Sequence, residues 1–314
     1  MKSVVVEEFG TSDALRVVES ALPHLGPEDV LVRVAGAGLN WIDVSLRAGR
    51  LAAGGLTAPA PRYGMGWDVA GIVESVGAQV TRHRPGDRVI GLRDVLGTPG
   101  THAEYVALHQ DAVTAAPAGA DLVDAGGFPL AGVTALGALA TSGASRDDTV
   151  LVTGAGGVIG TLCVSIAVSR GIEVTAVGRG LDADRLTALG VNVVDGDPDA
   201  VGATLASRVR ALVPRGVDAV IDTANLGIAA HEALRGGGTF VALVRPFAPP
   251  PLRGTDVRVH EAWADPALLA EAVALVDTGV IELPRTRRLP LTLVAEAHDV
   301  MEAGGLRGRI VLVP

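Results

Sequence analysis

Between residue 30 and roughly residue 115 the apolar positions fall in short, valine-rich runs: VLVRVAGAGL (30–39), AGIVESVG (70–77), DRVIGL (87–92) and AEYVAL (103–108). Turn signals such as LGPED and RPGD separate them. Runs of this length, rich in β-branched residues and bounded by Gly, Pro and Asp, predict strands. Their succession predicts a compact, partly open barrel rather than alternating β-α units.

From about residue 122 the pattern changes. LVDAGGFPLAGVTALGALATSG (122–143) is Ala-rich and predicts helix. Strand-like and helix-like stretches then alternate: TVLVTG, GTLCVSIAVSRG, EVTAVGR, ADRLTALG, VDAVIDTA, HEALRGGG and TFVALV. That alternation predicts a parallel, doubly wound sheet. FAPPPLRG (247–254) predicts a proline-rich loop, and PALLAEAVALVDTG (266–279) an amphipathic helix opened by Asp265-Pro266. RGRIVLVP predicts a last strand.

Composition narrows the function classes. A chain of 314 residues, 48% hydrophobic, suits two lobes with a sizeable core. No run of 18 uninterrupted apolar residues occurs, so no membrane span is expected. Glu7 and Glu8 fall where a signal peptide would be apolar, which makes the cytoplasm the expected compartment. Net charge is −9 and Lys2 is the only lysine, so no nucleic-acid partner is expected. Cys163 is the only cysteine, which rules out an intrachain disulfide and a multi-cysteine zinc site.

The chemistry concentrates at VLVTGAGGVIG (150–160). A buried strand runs into Gly154, Gly156, Gly157 and Gly160, and a helix follows. Such a junction presents free backbone N–H groups and the positive end of a helix to an anion. Side chains there would block a pyrophosphate. The spacing is G-x-x-G-x-x-G, at 154, 157 and 160, rather than G-x-G-x-x-G. Thr161 stands where a Walker A loop needs lysine.

Several ordered blocks resemble one family across nearly the whole length. They are GAGLNWIDVSLRAG (36–49), GMGWDVAGIVESVGAQVTRHRPGDRVIGL (64–92), GTHAEYVAL (100–108), PLAGVTALGAL (129–139), the glycine loop, and GLRGRIVL (305–312). The chain resembles the zinc-independent medium-chain dehydrogenase/reductases, in their NADPH:quinone oxidoreductase and enoyl reductase branch. Val158 departs from the second glycine of that family's common loop form. The resemblance implies an α/β fold: a GroES-like, partly open β-barrel domain from both chain ends (1–120 and 265–314) and an inserted Rossmann domain with a doubly wound parallel sheet (121–264). It further implies a homodimer joined through the Rossmann sheets, with TFVALV as the expected edge.

Within that resemblance a metal site is not expected. Asn40 and Asp43 fall in the first ligand region of the zinc members, and Gly66-Trp67-Asp68 stands in place of Gly-His-Glu. Without a Lewis acid, alcohol oxidation is hard. Reduction of a quinone or an α,β-unsaturated carbonyl is easier, because hydride enters an electron-poor carbon and hydrogen-bond donors can hold the oxygen that takes the charge. The expected catalytic donors are Asn40 and Tyr63. Asp43 is expected to pair with Arg47 or to cap a turn. His102 is weighed between lining the site and a structural place, and Trp41 and Trp67 between an apolar wall and core.

NADPH is the expected cofactor. The expected binding residues are Asn40, Thr134, Gly154, Gly156, Gly157, Val158, Ile159, Gly160, Arg179, Val244 and Arg309. An NAD-specific unit carries an acid at the end of its second strand. Here that strand, EVTAVGRG, starts with Glu173 and ends at Gly178-Arg179, and an arginine suits a 2′-phosphate. The expected reaction is hydride transfer to a quinone or enone. Two alternatives stay open: a stand-alone enoyl reductase of a polyketide-like pathway, and a non-catalytic NADPH-binding protein.

Overall fold

The computed structural model describes residues 1–93, 99–179, 181–196 and 204–314. It divides into two compact units, one of residues Met1–Val133 with Trp263–Pro314 and one of Thr134–Ala262. Along the chain the first unit carries β1 (Lys2–Val6), β2 (Leu15–Glu19), β3 (Asp29–Gly38), β4 (Tyr63–Gly64), β5 (Asp68–Val76), β6 (Arg88–Leu92), β7 (Tyr105–His109) and β8 (Val113–Ala115). The second carries β9 (Thr149–Thr153), β10 (Glu173–Gly178), β11 (Asn192–Asp195), β12 (Val217–Asp222), β13 (Leu234–Ala242) and β14 (Asp256–Val259). The chain returns to the first unit with β15 (Thr286–Pro290) and β16 (Arg309–Val313).

In the first unit one sheet runs β15-β16-β3-β5-β6-β8, with β7 also paired to β3; a smaller one runs β2-β1-β4. Alternate residues of these strands turn inward. Val30, Val32, Val34, Val69, Val73, Val89, Val106 and Leu108 form one buried cluster. The long sheet is antiparallel except where β15 meets β16. The strand runs alone do not foretell the helix Trp41–Arg47. Its start is coded by Asn40 at the N-cap, whose backbone N–H is accepted by the Asp43 carboxylate three residues on.

The Ala-rich stretch forms two helices, Leu122–Ala125 and Pro129–Ser142, not one. At the break Gly126 lies so close to β3 that a Cβ would run into the carbonyl of Gly36. This contact ties residues 122–128 to the first unit, which extends to Val133 rather than ending at 120.

The second unit is a parallel sheet in the order β11-β10-β9-β12-β13-β14. On one face Leu151, Val177, Val209, Val220, Leu234 and Phe240 pack together. Helix Val158–Ser169 buries Leu162, Cys163, Val164, Ile166 and Ala167. HEALRGGG is not the helix its place in the alternation suggested. A short helix ends at His231, and β13 begins at Leu234. TFVALV is not the edge either, because β14 pairs outside it. Among the described residues no helix is long and apolar enough to cross a membrane.

Candidate active site

The glycine loop opens a groove in the second unit. The strand order reverses direction between β9 and β12, the place where open α/β sheets bind ligands beyond the carboxyl ends of their strands. A cavity of about 210 Å³ lies there, lined by Gly154, Gly156, Gly157, Val177, Gly178, Arg179, Asp182, Gly196, Ala224 and Leu226. Gly154 has φ +59°, a left-handed turn that favours glycine. Gly160 is a packing glycine, since a Cβ would run into the Gly154 carbonyl oxygen. Helix Val158–Ser169 starts from Gly157 with no side-chain cap. Its first-turn N–H groups and its dipole are therefore offered to an anion by the backbone of Val158, Ile159 and Gly160. Strand β10 ends at Gly178, and exposed Arg179 follows at the rim. These features fit a dinucleotide: a close backbone approach, an open helix start and a cation.

The far wall of the groove depends on Asp222, which the sequence reading did not single out. It is buried at the end of β12. Its Oδ1 accepts from Thr153 Oγ1 at 2.6 Å and from the Leu226 N–H at 3.1 Å, and its Oδ2 accepts from the Gly227 N–H at 2.8 Å. Thr153 Oγ1 in turn accepts from the Ala224 N–H at 3.1 Å. One carboxylate thus shapes residues 224–227. The available signal was an acid closing the apolar run AVI (219–221).

In the first unit, Asn40 lies in a buried polar network. Its Nδ2 donates to Asp68 Oδ2 at 2.9 Å and, more weakly, to the Gly38 carbonyl at 3.4 Å; its Oδ1 accepts from Arg309 Nη2. Asp68 also accepts from Arg309 Nη2 at 3.2 Å and from the Leu130 N–H at 2.6 Å. Arg309 Nε donates to the Gly127 carbonyl at 3.1 Å. Asp43 accepts from the N–H groups of Asn40 and Gly66, each at 2.8 Å. Burial pushes both carboxyls up from the usual range; the Arg309 charge opposes this most at Asp68, and His102 at Asp43.

These bonds show how each expected residue is placed. The Asn40 amide donates to Asp68 and, more weakly, toward the Gly38 carbonyl. The Tyr63 hydroxyl donates to the Ala58 carbonyl and accepts from the Ala60 N–H, both at 3.1 Å, so it braces its own loop. Arg309 is not a surface arginine; its guanidinium is held by Asn40, Asp68 and Gly127. Asp43 does cap its helix but does not pair with Arg47, which bonds Glu302 Oε2 at 2.8 Å instead. His102 is fully buried, with Nε2 against the Gly38 carbonyl. Trp67 is core beneath Arg93, while Trp41 is exposed. Thr134 is buried in helix Pro129–Ser142 and Val244 is exposed before a short turn; neither lines the groove.

The residues in the place of the zinc ligands do not fit zinc. Asn40 and Asp68 are consumed by each other and by Arg309, Trp67 supplies no ligand atom, and Cys163 is buried on a helix of the other unit. Among the described residues no three His, Cys, Asp or Glu side chains cluster as a metal site.

Comparison with known proteins agrees with this anatomy. The alcohol dehydrogenase GroES-like domain family matches residues 26–118, and the family described as zinc-binding dehydrogenase matches residues 189–312. The chain is 30% identical to a probable quinone oxidoreductase of Schizosaccharomyces pombe, over 76% of this chain and 70% of that protein. It is 28% identical to the 2-methylene-furan-3-one reductase of Solanum lycopersicum, over 100% of this chain and 79% of that one. A solved mycobacterial protein complexed with NADPH aligns at TM-score 0.83 and 26% identity, covering 100% of both chains.

Proposed function

We propose, for a chain that belongs to the medium-chain dehydrogenase/reductase superfamily in its quinone oxidoreductase branch, the reduction of quinones or α,β-unsaturated carbonyls by hydride from a nicotinamide cofactor. The observation that carries the reading is the groove at the carboxyl ends of β9, β10 and β12, floored by glycine backbone and an uncapped helix start. When bound, the reduced nicotinamide supplies the hydride. The backbone of Gly154, Gly156, Gly157, Val158, Ile159 and Gly160 holds the pyrophosphate, with no side chain to fend it off. Asp222 keeps residues 224–227 in place as the opposite wall. Arg179 meets a 2′-phosphate, the group that distinguishes NADPH from NADH. Thr134 and Val244 are assigned to the nicotinamide end on the family resemblance.

Asn40, Tyr63 and Arg309 are assigned as positioning residues. Asn40 and Arg309 anchor helix Trp41–Arg47 to β5 and β16, and Tyr63 anchors residues 58–60. Catalysis then rests chiefly on orientation, which holds reacting atoms about 3–3.5 Å apart. We further propose a homodimer through β14, the outer strand of its sheet. Pairing two copies antiparallel about Val257 sets Asp256 of each opposite Arg258 of the other.

The test is oxidation of reduced cofactor with 1,4-benzoquinone, a naphthoquinone and a series of 2-alkenals and enones. Turnover with at least one acceptor class, undiminished by a zinc chelator, is expected. No turnover with any acceptor and either cofactor would overturn the reading, and loss of turnover on chelation would overturn its metal-free chemistry.

A further inference from the structure

Two side chains of opposite charge face the cofactor groove from one short stretch of chain, and only the basic one was foreseen. Arg179 follows the last residue of β10, and Asp182 lies in the first turn of helix Leu181–Ala188. Both line the cavity. They lean to different places. A Cβ on Gly156 would stand 2.5 Å from Asp182 Oδ2, so the carboxylate lies directly against the backbone of the glycine loop. A Cβ on Gly196 would stand 3.4 Å from Arg179 Cγ and 3.6 Å from its Nε, so the arginine lies along the end of β11.

The two cofactor forms differ by one group in this region. NADH presents a ribose 2′-hydroxyl, which a carboxylate accepts well. NADPH presents a dianionic 2′-phosphate, which an arginine grips with charge-assisted bonds and a carboxylate repels. A groove with arginine alone would favour NADPH strongly, and one with the acid alone would favour NADH.

We propose that Asp182 is a specificity-determining residue that offsets Arg179, so that the protein uses NADH and NADPH with comparable affinity. This deepens the function proposed above and rests on its placing of the cofactor. Asp182 acts by accepting a hydrogen bond from the adenosine ribose of NADH and by adding negative charge beside the 2′-phosphate of NADPH.

Binding is measured without turnover, by fluorescence titration with NADH and NADPH and by calorimetry with ADP and its 2′-phosphate derivative. Wild type is expected to bind the two cofactors within about tenfold of each other. A charge-assisted hydrogen bond sets the scale: Asp182→Asn should raise the NADPH-to-NADH affinity ratio on the order of 10- to 100-fold. Asp182→Ser, which removes the charge with a smaller side chain, should move it the same way, and Arg179→Ala the opposite way. The proposal is overturned if wild type prefers either cofactor more than 100-fold, or if both Asp182 variants, folded by thermal melt, leave the ratio within about threefold of wild type. Failure of wild type to bind either cofactor or either fragment overturns the cofactor reading itself, which separates the two failures.

Discussion

His298 is buried on helix Val294–Ala303 with its Nδ1 at 3.3 Å from Arg47 Nη1. The arginine is a donor only, so Nδ1 is the acceptor and the neutral ring carries its proton on Nε2. Burial first, then the charges of His102 and Arg47, lower its pKa from 6.5 to about 3. The unfolded chain therefore binds a proton here across pH 3 to 6.5 that the folded chain refuses. Stability from this residue is fully present above about pH 6.5 and falls as pH drops toward 3. Denaturant melts of the wild type should lose stability through that window. His298→Asn, which keeps an acceptor for Arg47, should show a flatter profile there. Equal pH slopes for the two proteins would contradict this account. The same scale explains what the sequence hid. The resemblance put Asn40, Tyr63 and Arg309 among the catalytic and cofactor-binding residues; Tyr63 finds its partners within five residues, at Ala58 and Ala60, but Asn40 and Arg309 find theirs far away along the chain, such as Asp68 and Gly127 for Arg309. No local pattern announces that a donor is already taken.

At the scale of elements, the strand–loop–helix of residues 149–169 is the most legible part of the chain, because both of its periodicities and its glycines are local. What each glycine does was not legible. Gly157 and Gly160 look alike in sequence but differ in space. A Cβ at Gly157 would meet only the Gly154 carbonyl oxygen at 3.2 Å, and φ there is an ordinary −77°. A Cβ at Gly160 would collide with the same carbonyl and also stand 2.8 Å from Ala155 Cα, so the loop itself would have to move. Gly160→Ala should thus cost about 1–3 kcal/mol in stability, the usual scale of overpacking. Gly157→Ala should cost much less and act mainly on cofactor affinity. Chemical melts and NADPH titration of both variants check this; a larger stability loss for Gly157→Ala would reverse the assignment. The element the sequence placed wrongly, HEALRGGG, failed because its glycines (236–238) lie inside β13, at the irregularity between the Leu234 and Thr239 pairings with β12.

At the scale of the molecule, assembly is where edge chemistry matters. Strand β14 alternates exposed Asp256 and Arg258 with half-buried Val257 and Val259. Within one chain Arg258 Nε bonds Asp256 at 2.7 Å, and a second copy offers the same two charges in reverse order. Light scattering across micromolar concentrations should report twice the chain mass. Arg258→Asp sets like charges opposite each other twice per dimer and should weaken the dimer. Adding Asp256→Arg should restore it, because cross-strand pairs depend on sign. A wild-type monomer, or a double variant no tighter than the single, would remove β14 as the interface.

Local pattern alone determined the valine-rich strands of the first unit, the alternating units of the second, and the glycine junction between β9 and its helix. These rest on side-chain periods of two and near four, which neighbours in sequence suffice to express. The ordered blocks further determined the superfamily. Tertiary structure decided which polar groups meet which partners. It withdrew Asn40, Tyr63 and Arg309 into bonds of their own. It brought Asp222 and Asp182 to the groove, and it put β14 rather than TFVALV at the rim. The physical reason is that a buried donor or acceptor must find a partner. For Asn40 and Arg309 that partner is chosen by proximity in the folded chain, across tens to hundreds of positions, and not by spacing along it.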